Sequence, residues 1–121
     1  MHELSIAARV VEQAAERCRA EGGHRVAAVT LRIGRLACVG TDALRFAFEH
    51  LRAGTPLDGA ALRIVEVPVR IWCRACAAEA ELPGIQSLAC PACGTPAGDL
   101  RAGRELDLDS IEILDAEPAT P

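Results

Sequence analysis

The segment CRACAAEAELPGIQSLACPACG, residues 73–94, decides how the rest of the chain is interpreted. Its cysteines form two CxxC pairs, Cys73 with Cys76 and Cys90 with Cys93. Each pair can direct two thiolates at one point, and two such pairs complete a tetrahedron around zinc at about 2.3 Å per bond. The residues between the pairs are too few to build a core of their own, so we expect a metal to replace it. The spacing therefore predicts a zinc ribbon.

The same cysteines admit two other interpretations. Two disulfides would suit an oxidising compartment, and a rubredoxin-like iron site uses similar knuckles. We predict a cytoplasmic protein with reduced cysteines, because the N-terminus carries no secretory signal and no apolar run approaches the roughly 20 residues that span a bilayer. Four thiolates would leave no position for water on the metal, so we expect the zinc to be structural.

On the N-terminal side of the cysteine segment, the apolar pattern alternates between helical and strand periods. Residues 24–34 predict a strand, residues 41–54 a second helix with Thr41 as N-cap, and residues 61–71 a strand with Pro68 at its end or at a sheet edge. Before them, residues 3–23 predict an amphipathic helix, whose buried face holds Leu4, Ala7, Val11, Ala14, Ala15 and Cys18.

On the C-terminal side, ELDLDSIEILD at residues 105–115 predicts a strand that rejoins the first sheet. The expected fold class is therefore α+β: two helices packed on a small mixed β-sheet, with an inserted zinc-ribbon domain. We place an α/β domain at residues 1–69 plus 106–114, the zinc-ribbon domain at 70–105 and a flexible tail at 115–121.

Composition argues against several classes of function. The chain has 121 residues, 17 of them acidic and 13 basic, with a net charge of −4 and no lysine. That balance, with only three aromatic residues, Trp72, Phe46 and Phe48, disfavours a nucleic-acid-binding ribbon module. No phosphate-binding GxxxxGK[ST] loop occurs, so any GTP hydrolysis must belong to a partner, and we expect no enzyme. The nucleic-acid module and a pure scaffold role stay as alternatives.

Five stretches, taken in order, carry a resemblance to a known family. They are MHELSI (1–6), VTLRIGRL (29–36), DALRFAFEHLRAGTPLDGAAL (42–62), the CxxC pairs ending in CPACG (90–94) and GRELDLDSIEI (103–113). Together they resemble the HypA/HybF hydrogenase maturation proteins from Met1 to about Leu114. The resemblance implies a nickel metallochaperone that delivers Ni(II) to the large subunit of [NiFe]-hydrogenase, works with the GTPase HypB and in some organisms also serves urease maturation.

The resemblance also implies where nickel is held. In similar proteins the site is the extreme N-terminus, and the matching residues here are Met1, His2 and Glu3. The α-amine of Met1, the amide nitrogen and imidazole of His2 and the amide nitrogen of Glu3 would form a square-planar nitrogen set. We expect the remaining histidines, His24 and His50, to lie away from metal.

Two further residues carry weaker expectations. Cys38 falls in a loop, where we expect a thiol with no assigned partner. Phe46 falls off the apolar stripe of the second helix, whereas Phe48 falls on it. We therefore expect Phe46 to be exposed and available to a partner.

Overall fold

The structure is a computed structural model that describes residues 2–115. The elements, in chain order, are α1 Glu3–Ala20, β1 Gly23–Gly34, a short 3-10 helix at Arg35–Ala37, α2 Thr41–Leu51, β2 Ala61–Val67, β3 Arg70–Cys73, β4 Ala78–Glu81, β5 Asp99–Ala102 and β6 Leu106–Asp115. This order confirms the predicted helix, strand and helix at the start of the chain and the strand after the cysteine segment. The single strand predicted over residues 61–71 is wrong, because Pro68 separates it into β2 and β3, which belong to different sheets. Apart from Asp115, the predicted tail lies outside the described residues.

Helix α1 buries one stripe along almost its whole length. Cys18 is 1% exposed and belongs to this stripe, as predicted. Leu4 contradicts the prediction, because it is 63% exposed. The helical period does place Leu4 in line with Val11 and Ala15, but the helix begins only one residue earlier, and the packing that covers the stripe does not reach this first turn. No helix within residues 2–115 is long and apolar enough to cross a membrane.

Helix α2 packs against α1 and buries Leu44, Ala47 and Phe48. Phe46 is 72% exposed, as predicted, and stacks on the ring of His50 at a centroid distance of 6.2 Å. The predicted cap is wrong by one residue. Gly40 is the N-cap, and Thr41 is already helical.

The sheet of the α/β part has the strand order β2-β1-β6. Strand β1 buries Val29, Leu31 and Ile33, as its alternation predicts. Strand β2 ends at Val67, because Pro68 cannot donate a ladder hydrogen bond. Strands β3, β4 and β5 fall in the chain between β2 and β6 and form a sheet of their own, so the cysteine segment is an insertion. The fold is α+β, with two helices, a small sheet and an inserted ribbon.

Two compact units make up the described chain. The first contains residues 2–31, 39–64 and 108–115, and the second contains residues 32–38 and 65–107. In the second unit the sheet order is β4-β3-β5, and β3 pairs antiparallel with both neighbours. Its buried cluster is short of apolar side chains and includes two of the cysteines: Val69, Ile71, Cys73, Leu82 and Cys90.

A close backbone approach holds the second unit together at Gly34 and Gly103. The N–H of Gly34 donates to the carbonyl of Glu105 at 2.7 Å, and the N–H of Leu36 donates to the carbonyl of Gly103 at 2.8 Å. A Cβ atom at Gly34 would lie 2.1 Å from the carbonyl oxygen of Gly103. Only glycine therefore fits at position 34.

Candidate metal centre

The first cysteine knuckle is built where β3 ends. Cys73 is the last residue of β3. The backbone N–H of Cys76 donates a hydrogen bond to the Sγ of Cys73 at 3.4 Å. Ala77 follows with a φ of 52°, a left-handed conformation that lets the chain reverse into β4. The turn thus directs both thiols of the pair to one side of the strand end.

The second knuckle is a tight hairpin around Cys90 and Cys93. The N–H of Gly94 donates to the carbonyl of Cys90 at 2.8 Å, and the N–H of Cys90 donates to the carbonyl of Thr95 at 2.9 Å. Gly94 has a φ of +77°, which explains why glycine stands there.

All four thiols converge. The Sγ atoms of Cys73, Cys76, Cys90 and Cys93 lie within 4.8 Å of one another, with 3.5 Å from Cys73 to Cys93 and 4.0 Å from Cys76 to Cys90. A tetrahedron with Zn–S bonds of about 2.3 Å has edges of about 3.8 Å. These separations fit a zinc ion at the centre and are far longer than the bond of about 2.05 Å in a disulfide. All six cysteines of the chain are free.

Thr95 changes the protonation of this cluster. Its hydroxyl lies 3.2 Å from Cys93 Sγ, and its hydroxyl and backbone N–H lower the pKa of Cys93 to about 6. The neighbouring sulfurs of Cys93, Cys73 and Cys90, any of which can accept the Cys76 proton in a hydrogen bond, favour the protonated thiol and raise the pKa of Cys76 to about 12. Without metal, Cys93 is therefore a thiolate at neutral pH, whereas Cys76 must lose its proton when a metal binds.

Two of the three predicted nickel residues, His2 and Glu3, lie at the start of α1. His2 is the N-cap of this helix, and it is exposed. Its carbonyl accepts the N–H of Ile6 at 3.1 Å, which begins the helical ladder. The N–H groups of His2 and Glu3 precede that ladder and have no helical acceptor. Met1, the third predicted residue, lies outside the described residues.

The side chain of Glu3 makes a contact that reaches far along the chain. Its Oε2 accepts the backbone N–H of Gly40 at 2.9 Å. This hydrogen bond is the main cause that lowers the pKa of Glu3 below its ordinary value of 4.5. The carboxylate thus lies at the N-cap of α2, where negative charge is favoured.

The remaining histidines and Cys38 do not join the four-cysteine cluster. His24 and His50 are exposed, and neither belongs to a metal-binding cluster within residues 2–115. Cys38 is exposed and ends the 3-10 helix with a φ of 54°. Within residues 2–115, the four-cysteine cluster is the only group of three or more His, Cys, Asp or Glu side chains placed to hold an ion.

The sequence matches a known family over nearly its whole length. A family model described as "Hydrogenase/urease nickel incorporation, metallochaperone, hypA" matches residues 1–113. The hydrogenase maturation factor HypA of Chloroflexus aggregans is 47% identical over 112 residues, which cover 93% of this chain and 98% of that protein. The chain belongs to the HypA family. A further HypA relative, from a Roseiflexus species, is 42% identical over 118 residues, which cover 98% of this chain and 96% of the relative.

Solved HypA structures share the fold. The solution structure of the Ni metallochaperone HypA from Helicobacter pylori matches with a TM-score of 0.67 at 24% identity, covering 96% of this chain and all of that one (100%). A second HypA solution structure matches with a TM-score of 0.71 at 24% identity, covering 96% and 98%. These matches confirm the predicted HypA fold with its inserted ribbon.

Sequence analysis of this HypA chain missed two contacts. The bond from Glu3 to Gly40 joins residues that are 37 positions apart, so no local pattern could indicate it. Thr95 follows Cys93 by two residues. A hydroxyl side chain two positions after a predicted zinc ligand was the only signal in the sequence for the second contact.

Proposed function

We propose that this HypA-family protein is a nickel metallochaperone. It binds Ni(II) through Met1, His2 and Glu3 and delivers it to the large subunit of [NiFe]-hydrogenase, with HypB as the partner GTPase and urease maturation proteins as further partners in organisms that have them. The match of the family model over residues 1–113 carries this proposal, because it spans both the N-terminal triplet and the cysteine ribbon. The protein transfers metal and catalyses no covalent step.

The start of α1 supports nickel binding by backbone nitrogen. Because the amides of His2 and Glu3 donate to no helical carbonyl, a metal can replace their protons without breaking a hydrogen bond of the ladder. The partial positive charge at a helix N-terminus would repel a bare dication. Two deprotonated amides cancel the two charges of Ni(II), so the complex is neutral and that repulsion is removed.

The nitrogen set also explains how cargo could be released. Protons compete with the metal for the amides and the imidazole, so nickel affinity falls as pH falls. The same donors intrinsically prefer Cu(II) to Ni(II). Selectivity for nickel therefore rests on metal supply in the cytoplasm, where we propose the protein works, and on the partners that receive the ion.

In this proposal the zinc is resident and structural. Cys73, Cys76, Cys90 and Cys93 hold it, and the ribbon of residues 70–105 is a domain separate from the nickel-binding domain of residues 1–69 plus 106–114. The spacing of the four sulfurs supports a closed tetrahedral site. Because the apolar cluster of the ribbon is small, metal binding supplies much of its folding free energy.

Calorimetric titration of untagged protein with Ni(II) tests the nickel site. His2→Ala should abolish stoichiometric nickel binding and leave the zinc content unchanged, because the two metals use different residues. His50→Ala is the matched control, since His50 is also exposed, and it should bind nickel like the natural protein. Unchanged nickel affinity in His2→Ala would refute the proposed site.

Delivery needs a separate measurement. Nickel-loaded protein is mixed with purified HypB and metal-free hydrogenase large subunit in the presence of a chelator that captures any ion released to solution. Hydrogenase activity should appear with the natural protein and stay near background with His2→Ala. Activity near background with both proteins would leave the chain only a scaffold role, and equal activation by both would show that delivery does not depend on His2.

A further inference from the structure

The four ribbon cysteines differ in how well solvent reaches them. Cys73 and Cys90 are 2% and 3% exposed, whereas Cys76 and Cys93 are exposed. Each knuckle therefore contributes one buried and one exposed thiol. Because an oxidant in solution reaches an exposed sulfur first, oxidation of the ribbon begins at Cys76 or Cys93.

Two contacts between sulfurs join one knuckle to the other. Sγ of Cys93 lies 3.5 Å from Sγ of Cys73, and Sγ of Cys76 lies 4.0 Å from Sγ of Cys90. In each contact an exposed thiol lies beside the buried thiol of the other knuckle. Since a disulfide bond is about 2.05 Å long, the pair of Cys73 and Cys93 needs the smaller movement, about 1.5 Å.

A bridge within the first knuckle would disturb the turn that forms it. The backbone N–H of Cys76 donates to Sγ of Cys73 at 3.4 Å, and Ala77 has a left-handed φ of 52°. Bringing the Sγ atoms of Cys73 and Cys76 into bonding distance would change this turn. When Cys93 approaches from the other knuckle, the turn can keep its conformation.

We propose that the ribbon is a redox switch, in which a peroxide joins Cys73 to Cys93 and thereby releases the structural zinc. The Cys93 thiolate attacks one oxygen of hydrogen peroxide, which gives a sulfenic acid and one hydroxide. The Cys73 thiolate then attacks that sulfur, forms the disulfide and displaces a second hydroxide. Two thiolates are oxidised, one peroxide is reduced, and two of the four zinc donors are lost.

The disulfide replaces the metal as the link between the knuckles. It closes the loop of residues 73–93, so the end of β3 stays beside the hairpin at Cys90 and Cys93. Bridges within each CxxC pair would leave the two knuckles unlinked. The oxidised ribbon therefore stays folded without zinc and takes zinc back once a thiol reductant opens the bridge. This inference rests on the structural zinc of the proposed function and not on the nickel site.

Peptide mapping tests the pairing directly. Untagged protein of measured zinc content receives one equivalent of hydrogen peroxide beside a chromogenic zinc chelator, and the remaining thiols are alkylated. Trypsin with a glutamate-specific protease then separates residues 71–74, 75–79 and 82–101, which hold Cys73, Cys76 and the pair Cys90 and Cys93. We expect residues 71–74 joined to 82–101 through Cys93, and about one zinc released per disulfide formed.

Any other first pairing, or a disulfide formed without zinc release, overturns the inference. Protein that holds no zinc before oxidation would contradict the zinc site of the proposed function instead, and the peptide map would still decide the pairing. Cys38→Ser removes the exposed cysteine outside the cluster and should change the rate of zinc release less than about twofold. Slower release in this control would place the first oxidation at Cys38 and also overturn the switch.

Trp72 reports whether the bridge holds the ribbon together, because it precedes Cys73 in β3 and is the only tryptophan. Its emission should stay like that of the zinc-loaded protein after oxidation, whereas reduced protein stripped of zinc should shift to longer wavelength. Excess dithiothreitol and zinc should then restore about one zinc per chain. Equal shifts in the oxidised and the reduced zinc-free protein, or no recovery of zinc, would show that the bridge does not act as a reversible substitute for the metal.

Discussion

The carboxylate of Glu3 accepts a hydrogen bond of 2.9 Å from the backbone N–H of Gly40, which joins the first turn of α1 to the start of α2. Gly40 is the N-cap of α2 and has no side chain, so the carboxylate comes from another helix. Glu3 therefore has a side-chain role in the fold beside the proposed role of its backbone nitrogen in holding nickel, and its own backbone N–H also helps to lower the pKa of the carboxylate.

Glu3→Gln should lower the stability of the protein in a pH-dependent way. The pKa of Glu3 is depressed below 4.5, chiefly by the Gly40 N–H, so its stabilisation is present above pH 4.5 and is lost as the pH falls through its lowered pKa. Thermal melts at pH 7 should give a lower Tm for Glu3→Gln than for the natural protein, and the difference should shrink at acidic pH. Glu49→Gln, on the exposed side of α2, is the control and should show little change. A difference that stays constant down to strongly acidic pH would contradict the role of the ionised carboxylate.

Gly34→Ala should destabilise the second unit severely. Its Cβ would lie 2.1 Å from the carbonyl oxygen of Gly103, which is backbone and cannot rotate away. We expect a loss of about 3 kcal/mol or more in the free energy of unfolding, measured by denaturant titration of zinc-loaded protein. Gly84→Ala is the control, because a Cβ there meets nothing within 4 Å. Similar losses in the two variants would show that the close approach is not a constraint.

A pair of leucines tests where the core ends. Leu57 is 0% exposed and Leu4 is 63% exposed. Leu57→Ala should therefore cost about 2–5 kcal/mol of unfolding free energy, whereas Leu4→Ala should cost less than about 0.5 kcal/mol. Denaturant titration measures both. A large loss in Leu4→Ala would restore the prediction that Leu4 belongs to the core.

Periodicity was sufficient to predict the helices and the long strands β1 and β6 but not their ends, and it did not indicate the short strands of the ribbon. The stripe from Ala7 to Cys18 and the alternation of β1 follow from the sequence, because burial of an apolar face is a repeated signal. Leu4 fits the same period and is nevertheless exposed, since a period says nothing about how far the packing partner extends. The Gly40 cap could not be predicted, because its partner comes from a distant part of the chain.

Thr95→Val should increase the number of protons released when zinc binds. The hydroxyl of Thr95 helps to lower the pKa of Cys93 to about 6, so at pH 7 this thiol is already ionised in the metal-free protein. Without the hydroxyl, the pKa of Cys93 rises, and its proton must also be displaced by the metal. Calorimetric zinc titrations in buffers with different ionisation enthalpies should show up to about one additional proton per zinc.

Thr95→Ser separates the hydroxyl from the shape of the side chain. It keeps the group that interacts with Cys93 Sγ at 3.2 Å, so its proton release should match that of the natural protein. If Thr95→Ser and Thr95→Val released equal numbers of protons, the hydroxyl would not control the ionisation of Cys93.

The candidate site was predictable to different degrees in its parts. Two CxxC pairs indicate a thiol cluster because the two cysteines of each pair are close in sequence and can direct their thiols to one point. The structure brings the four sulfurs within 4.8 Å of one another. The proton balance among them depends on Thr95, whose effect arises only once the hairpin at Cys90 and Cys93 is folded. The proposed nickel triplet carries no periodic or spacing signal at all, so its prediction rests on the family resemblance.

X-ray absorption spectroscopy at the nickel and zinc edges tests the central claim most directly. Untagged protein is mixed with one equivalent of each metal and cleared of unbound ions. The account predicts zinc surrounded by four sulfurs at about 2.3 Å and nickel in a planar environment of nitrogen alone. Nickel coordinated by sulfur, or no nickel bound at all, would contradict it.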